Sequence, residues 1–328
     1  SWQDVANAPE DRATRSALIQ NGNGLVSGFR DLATQIGVVK GQTAQNITTT
    51  LGEVNSIGDK IAKLNATIAA NLEVGNQPND LLDQRDVLLD SLGELTNVSW
   101  TETANGAVDV TVGGASLVSG ITANTLVESD YTSLTSSKLA ALVELRDTTL
   151  PGYLATLDGI AKSLADKVNA QHAAGYDLAT GSAGGAFFTY TSGSEASTLD
   201  LSAALVADPR LIAASDTAPT TSGAQSGNGA NAIAIASLMQ DATIGGAYVQ
   251  LVNKIGSDGQ EANREHLNAD ALTATLTARR QSVSGVSLDE EMTNLVKFQR
   301  GFQASSRALN AMDDMLELLV TRTGRVGL

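Results

Sequence analysis

From Leu295 onward, large apolar residues return every seven positions. Leu295, Phe302, Leu309 and Leu316 form one line, and Phe298, Ser305, Met312 and Leu319 form a second line three positions later. On a helix these lines share one narrow face, the pattern of a coiled coil, with Ser305 as a polar interruption. Leu288 and Met292 extend the face upstream, and Ser287 with Glu290 three residues on predicts a capping box at the helix start. The helix is predicted to run to about residue 321. A narrow seam draws its stability from packing on another helix more than from intrinsic propensity. Exposed, it is an assembly device or an aggregation hazard.

The rest of the chain reads as helical rods around β-containing material. Residues 9–40 carry Leu18, Ile19, Leu25, Val26, Phe29, Leu32, Ile36 and Val39, with breaks predicted at Gly22, Gly24 and Gly37. A long helix over 43–72 places Ile47, Val54, Ile61 and Ile68 seven apart, widened by Leu51, Ile57 and Leu64. After a turn at Gly75–Pro78, Asn79 is predicted to cap a helix to about residue 95, with Asp80 and Asp83 in its first turn. Alternation at Val98, Trp100, Val108, Val110 and Val112 around Asn105–Gly106 predicts a hairpin in a small strand-rich insertion. Helix resumes after Tyr131, breaks at Pro151–Gly152 and continues on Leu154, Leu157, Ile160, Leu164 and Val168. Residues 178–230 predict short strands or one short helix, then a Ser/Thr/Gly/Ala-rich loop. A further helical region over 235–282 has possible splits at Gly245, Gly246, Gly256 and Gly259.

This gives an α+β class, mainly α: a long antiparallel helical bundle with a small β-rich insertion and a terminal coiled-coil-like helix. The segments are 1–96, 129–177 and 231–283 for the helical body, 97–128 for the insertion, 178–230 for an irregular, β-containing stretch, and 284–328 for an axial assembly helix.

Composition removes several function classes. The chain has no Cys, so disulfide frameworks, thiol nucleophiles and Cys-ligated metals are excluded. A net charge of −15 argues against nucleic acid and against acidic membrane surfaces. No uninterrupted apolar run approaches the roughly 20 residues of a bilayer span, so no membrane insertion is expected. Aromatic residues are only 4% of the chain, so the core must be mainly aliphatic, with Trp2 and Trp100 read as packing anchors. His172 and His266 sit in no ligand-spacing motif and read as packing or helix-end residues. Asp289, Glu290 and Glu291 read as first-turn residues favoured by the helix dipole. Asp313, Asp314 and Glu317 read as a solvated or lumen-facing side, and Asp80, Asp83 and Asp86 as an acidic face able to pair with Arg85 of a neighbouring subunit or domain. No phosphate loop or dinucleotide fingerprint is present. No catalytic, metal or cofactor-binding residue is predicted.

The run from Ser284 to Arg307, with its Glu-Met…Leu…Gln…Phe-Gln-Ala-Ser order, resembles the axial proteins of the bacterial flagellum. Three further stretches narrow the resemblance: Asn79-Asp-Leu-Leu-Asp-Gln-Arg-Asp86, Val168-Asn-Ala-Gln-His-Ala-Ala-Gly-Tyr-Asp177 and Ala204-Leu-Val-Ala-Asp-Pro-Arg-Leu-Ile-Ala213. Together they resemble the flagellar hook-associated protein 1 family, whose members form the hook–filament junction. The family-like positions are Asn79, Asp80, Asp83, Arg85, Asp86, Asn169, His172 and Tyr176.

The resemblance implies a structural adaptor without catalysis, exported through the flagellar type III apparatus and placed outside the cell at the hook–filament junction. It implies self-association in a ring, with hook protein below and hook-associated protein 3 above. It also implies an export chaperone that covers the C-terminal helix in the cytoplasm. The seam of Leu288, Met292, Leu295, Phe298, Phe302, Leu309, Met312, Leu316 and Leu319 would then serve inner-tube packing and chaperone recognition. A partner helix upstream of Ser1 is part of what the resemblance implies. Other readings are another axial protein (hook-associated protein 3 or a flagellin), a flagellum-borne carbohydrate-degrading enzyme built on the abundant carboxylates, and a cytoplasmic coiled-coil adaptor.

Overall fold

The computed structural model describes residues 1–130, 133–218, 227–284 and 288–323, with the side chains of 283–288 and of 318 onward left out. The chain divides into two compact units, Ser1–Ile255 and Gly256–Leu328. It is mainly helical, with long helices, a four-stranded antiparallel sheet and a two-stranded antiparallel pair.

In the first unit, the short helix α1 (Trp2–Asn7) leads into α2 (Arg12–Glu73), a continuous helix of 62 residues. Asp11 caps α2, its carboxylate accepting the Ala13 N–H at 2.9 Å. The breaks predicted at Gly22, Gly24 and Gly37 do not occur. Each glycine weakens a helix by about 1 kcal/mol relative to Ala, but Leu18, Ile19, Val26, Phe29 and Ala33 bury one continuous face there. Gly22 belongs to that face: a Cβ on it would sit 3.1 Å from the Leu201 side chain. The second half of α2 buries Ile47, Val54, Ile61 and Ile68, the line read from the sequence.

A turn with Gly75 at φ 82° reverses the chain into α3 (Asn79–Leu95). Asn79 is the first helical residue rather than the cap, and Pro78 holds the cap position without a side-chain hydrogen bond. The Pro78 carbonyl already accepts the N–H groups of Leu81 and Leu82, so the helix is under way at Asn79. Strands β1 (Val98–Glu102), β2 (Val108–Val112), β3 (Ala115–Ser119) and β4 (Thr122–Ala123) then form an open antiparallel meander in sequence order. Gly106 closes the first hairpin at φ 77°, donating its N–H to Thr103 at 2.9 Å. Val108, Val110 and Val112 of β2 join Val54, Ile61, Leu89, Leu92 and Leu117 in one core. Gly58 makes room for it, since a Cβ there would lie 2.8 Å from Leu117 Cδ1. Trp100 does not anchor this core: it lies on the edge strand β1, with a neighbour on one side only, and is half exposed.

Ser137 caps α4 (Lys138–Glu144), its hydroxyl accepting the Ala140 N–H. The chain then passes through a π-helical turn (Leu145–Thr149) into α5 (Leu150–Ala174). The break predicted at Pro151–Gly152 is therefore this turn, with Pro151 tolerated in the first turn of α5 because its missing N–H is not needed there. Next come the paired β5 (Phe188–Thr189) and β6 (Asp200–Leu201), with α6 (Glu195–Thr198) between them, then α7 (Ala203–Ala207) and a 3-10 turn at Pro209–Leu211. They pack with α1, α5 and the first half of α2 in a second core centred on Leu157, Leu164, Phe187 and Leu199. Trp2 does anchor here, its ring 5.0 Å from that of Phe187.

Helix α8 (Ala230–Ser237) gives way to a 3-10 turn and a π turn before α9 (Ala247–Ser284). The split thus falls at 238–246, where Asp241 caps the new turn, and α9 runs through Gly256 and Gly259 unbroken. Ala230–Ser282 is long and apolar enough, by length and composition, to cross a membrane, its most apolar 18-residue window having a mean hydropathy of 1.2. Reading only uninterrupted runs missed this average, which Ala-rich sequence reaches without consecutive large residues. Within it the Leu238–Gly246 turns break the α-helix, and Ala232, Ile235 and Ile244 are buried in the second core. The second unit holds the rest of α9 and α10 (Leu288–Thr323).

Candidate functional site

Two sets of sequence-singled residues differ in what the fold does with them. On α10, Asp289, Glu290 and Glu291 occupy the first turn, where the helix dipole favours negative charge. The seam follows. Phe298 and Phe302 are each 76% exposed, and Met292, Leu295, Leu309, Met312 and Leu316 are also more than half exposed. Val296 and Met315 lie exposed beside them and were missed by the seven-residue spacing; Met315, three positions after Met312, was the available signal. The side chains of Leu288 and Leu319, and Ser287 with its capping pair to Glu290, lie outside the described residues. Burying a large aliphatic or aromatic side chain is worth about 1.5–3 kcal/mol, a gain that the exposed side chains of this face do not make among the described residues.

Three of the family-like residues in the body, Arg85, Asn169 and His172, do the opposite: they turn inward onto backbone atoms. Arg85 is buried. It donates from Nη1 to the Gly106 carbonyl at 2.6 Å and lies 3.9 Å from Glu102. Asn65 beside it donates to the Val108 and Gly120 carbonyls and accepts the Val108 N–H. Together they tie the α2–α3 hairpin to the sheet. Asp80, Asp83 and Asp86 point away, exposed along with Asn79.

Around the second core, Asn169 donates to the Phe188 carbonyl and accepts the N–H groups of Phe187 and Phe188, each at 2.8 Å. His172 is fully buried. Its Nε2 accepts the Ala213 N–H at 2.9 Å, so the proton is on Nδ1, which donates to the Gly185 carbonyl at 2.7 Å. Burial holds its pKa below the ordinary imidazole value, and Arg15 adds to the effect while Asp177 opposes it. Tyr176 contributes its backbone, donating to the Ser215 carbonyl. Arg15 escaped the sequence reading because nothing local marks it. It is buried and donates to the carbonyls of Pro9, Pro209 and Ile212, with its pKa lowered to about 10 by that burial.

This polar frame is structural. Both ring nitrogens of His172 are engaged by backbone, and His266 lies on the exposed α9 surface 3.5 Å from Asp270. Among the described residues no group of three or more His, Cys, Asp or Glu side chains comes together to hold a metal ion.

A family model described as the flagellar hook-associated protein FlgK helical domain matches residues 1–133 and 127–188. The chain belongs to the flagellar hook-associated protein family. A second model, described as the flagellar basal body rod FlgEFG protein C-terminal, matches residues 279–322, which contain α10 and its seam. Flagellar hook-associated protein 1 of Bacillus subtilis (strain 168) is 26% identical, over 99% of this chain and 74% of the relative. That of Escherichia coli (strain K12) is 25% identical over 98% of this chain and 78% of the relative. Among solved structures, the flagellar hook junction protein FlgK from Burkholderia pseudomallei shares 29% identity at a TM-score of 0.53, over 58% of this chain and 39% of that one. The chain is thus an axial structural protein of the flagellum.

Proposed function

We propose that this protein is the adaptor that joins hook to filament. It acts without bond-making chemistry: α10 packs axially against neighbouring subunits while the body fixes the spacing between them. Its partners are hook protein below, hook-associated protein 3 above and further copies of itself in a ring. An export chaperone shields α10 before passage out of the cell. The observation that carries the reading is a helix matching the axial C-terminal model whose Phe298 and Phe302 lie 76% exposed. The similarity to the solved flagellar hook junction protein FlgK from Burkholderia pseudomallei favours the junction over other axial positions.

Phe302→Asp puts a charge in the middle of the seam and leaves the body's cores untouched. Added to isolated hooks, the variant should fail to incorporate while keeping the unfolding midpoint of the parent. Normal incorporation would sink the proposal. Another axial protein such as hook-associated protein 3 or a flagellin is separated by order of addition, because the junction protein binds bare hooks first.

A further inference from the structure

We infer that Asn105–Gly106, at the tip of the β1–β2 hairpin, is a site of covalent self-modification, where the asparagine loses its side-chain amide as ammonia and becomes aspartate or isoaspartate. The inference is independent of the role of α10. Asparagine followed by glycine can react in this way because the next peptide nitrogen attacks the side-chain carbonyl carbon, and glycine has no side chain to hinder the approach.

The chain holds four such pairs, at 21–22, 23–24, 105–106 and 228–229. The fold restrains three of them. Asn21 and Asn23 lie inside α2, where ring closure would take the backbone out of its helical angles and break the hydrogen-bonded ladder. Asn228 donates its amide Nδ2 to Asp216 at 2.8 Å, and the Gly229 backbone is pressed on Ala6, whose carbonyl a Cβ there would meet. Asn105 differs. It is exposed, and its Nδ2 has no partner among the described residues. Its Oδ1 accepts the Thr103 hydroxyl at 2.6 Å and the Ala107 N–H at 3.2 Å. Both donors face the oxygen on which negative charge develops during the attack. The Gly106 N–H must first leave the Thr103 carbonyl, a single turn hydrogen bond of 2.9 Å, which local opening of the hairpin tip releases.

In the step, the Gly106 nitrogen gives its proton to a solvent base and bonds to Asn105 Cγ. The Cγ–Nδ2 bond breaks, and ammonia leaves with a proton from solvent. Water then opens the cyclic imide. Nothing is oxidised or reduced; amide plus water becomes carboxylic acid plus ammonia. Opening at the side-chain carbonyl gives aspartate on an unchanged backbone, and its carboxylate takes over the Ala107 N–H as a charge-assisted hydrogen bond. Opening at the main-chain carbonyl gives isoaspartate and lengthens the backbone by a methylene ahead of Gly106. The Gly106 carbonyl is the acceptor of Arg85 Nη1 at 2.6 Å, and Arg85 Nε has no partner among the described residues. Isoaspartate thus loosens the tie between α3 and the sheet.

The test incubates the full chain at mildly alkaline pH, folded and in urea, and maps its peptides by mass. In the folded chain the peptide holding Asn105 should gain about 1 Da. It should do so roughly tenfold faster than the peptides holding Asn21, Asn23 or Asn228, because the fold restrains those. In urea the four sites should react at similar rates. Asn105→Gln should silence the hairpin peptide in both samples. Thr103→Val removes the hydroxyl donor and should slow the folded reaction by about threefold to tenfold, the worth of one hydrogen bond, while leaving the rate in urea unchanged. A folded chain that keeps Asn105 intact while the urea sample reacts, that reacts equally at all four pairs, or that reacts as fast in T103V as in the parent, overturns the inference.

Discussion

Helices α2 and α10 carry the same sequence device with opposite outcomes. In α2, Ile47, Val54, Ile61 and Ile68 stand seven apart and are 0–1% exposed. In α10, Leu295, Phe302, Leu309 and Leu316 stand seven apart and are 57–76% exposed. Period alone states that a helix needs a neighbour; it does not say whether that neighbour lies in the same chain. Residue choice does differ. The α2 line is β-branched and interleaved with Gly58 and Asn65, which admit Leu117 and bind sheet carbonyls. The α10 line is Leu and Phe, unbranched at Cβ. The α2 seam is fitted to partners in its own chain, whereas the α10 seam is exposed among the described residues.

The widest gap between the two helices should appear on truncation. Ile61→Ala opens a cavity in a filled core and should destabilise the body by roughly 2–5 kcal/mol. Leu309→Ala removes an exposed side chain and should shift the same urea-unfolding curve by less than about 0.5 kcal/mol. Equal losses would erase the distinction.

A smaller effect comes from the buried frame of the body, which α10 lacks. Burial holds the His172 pKa below its value in the unfolded chain. Between the two values the unfolded chain binds the extra proton, so stability is intact above about pH 6.5. It falls as the pH drops below that, by up to about 1.4 kcal/mol per pH unit, until the folded-state value is passed. His172→Asn should be less stable at neutral pH and should lose this part of the slope. Urea midpoints of parent and variant at pH 7.5 and 5.5 check it; parallel slopes would contradict it.

The smallest effect is a contrast of glycines within α2. Gly37 has open space at its Cβ position, so Gly37→Ala should stabilise by about 0.5–1 kcal/mol. Gly58→Ala would press on Leu117 and should destabilise instead. Thermal melts should move in opposite directions, and a shared sign would show that Gly58 is not fitted to the sheet.

Much of this was legible in the sequence where a repeating physical pattern carried it. The seven-residue lines of α2 and α10, the Val alternation of β2 and the Asn105–Gly106 turn all depend on neighbours close along the chain. The polar frame was only half legible. Arg85 and His172 stood out in family-like stretches, but their partners are the backbone of Gly106, Gly185 and Ala213, which no local spacing encodes. Arg15 was not legible at all, because carbonyls nearly two hundred residues away engage it. Glycine misled in α2, where tertiary packing on Leu201 overrode propensity, and Pro151 misled where a π turn absorbed it.

Hydrogen exchange on the dilute free chain and on the chain mounted on purified hooks tests the central contrast most directly. The account predicts that amides of 292–316 exchange quickly in the free chain and become strongly protected on hooks, while those of 47–68 in α2 are protected equally in both. Protection of 292–316 already complete in the dilute free chain, or unchanged on mounting, would contradict it.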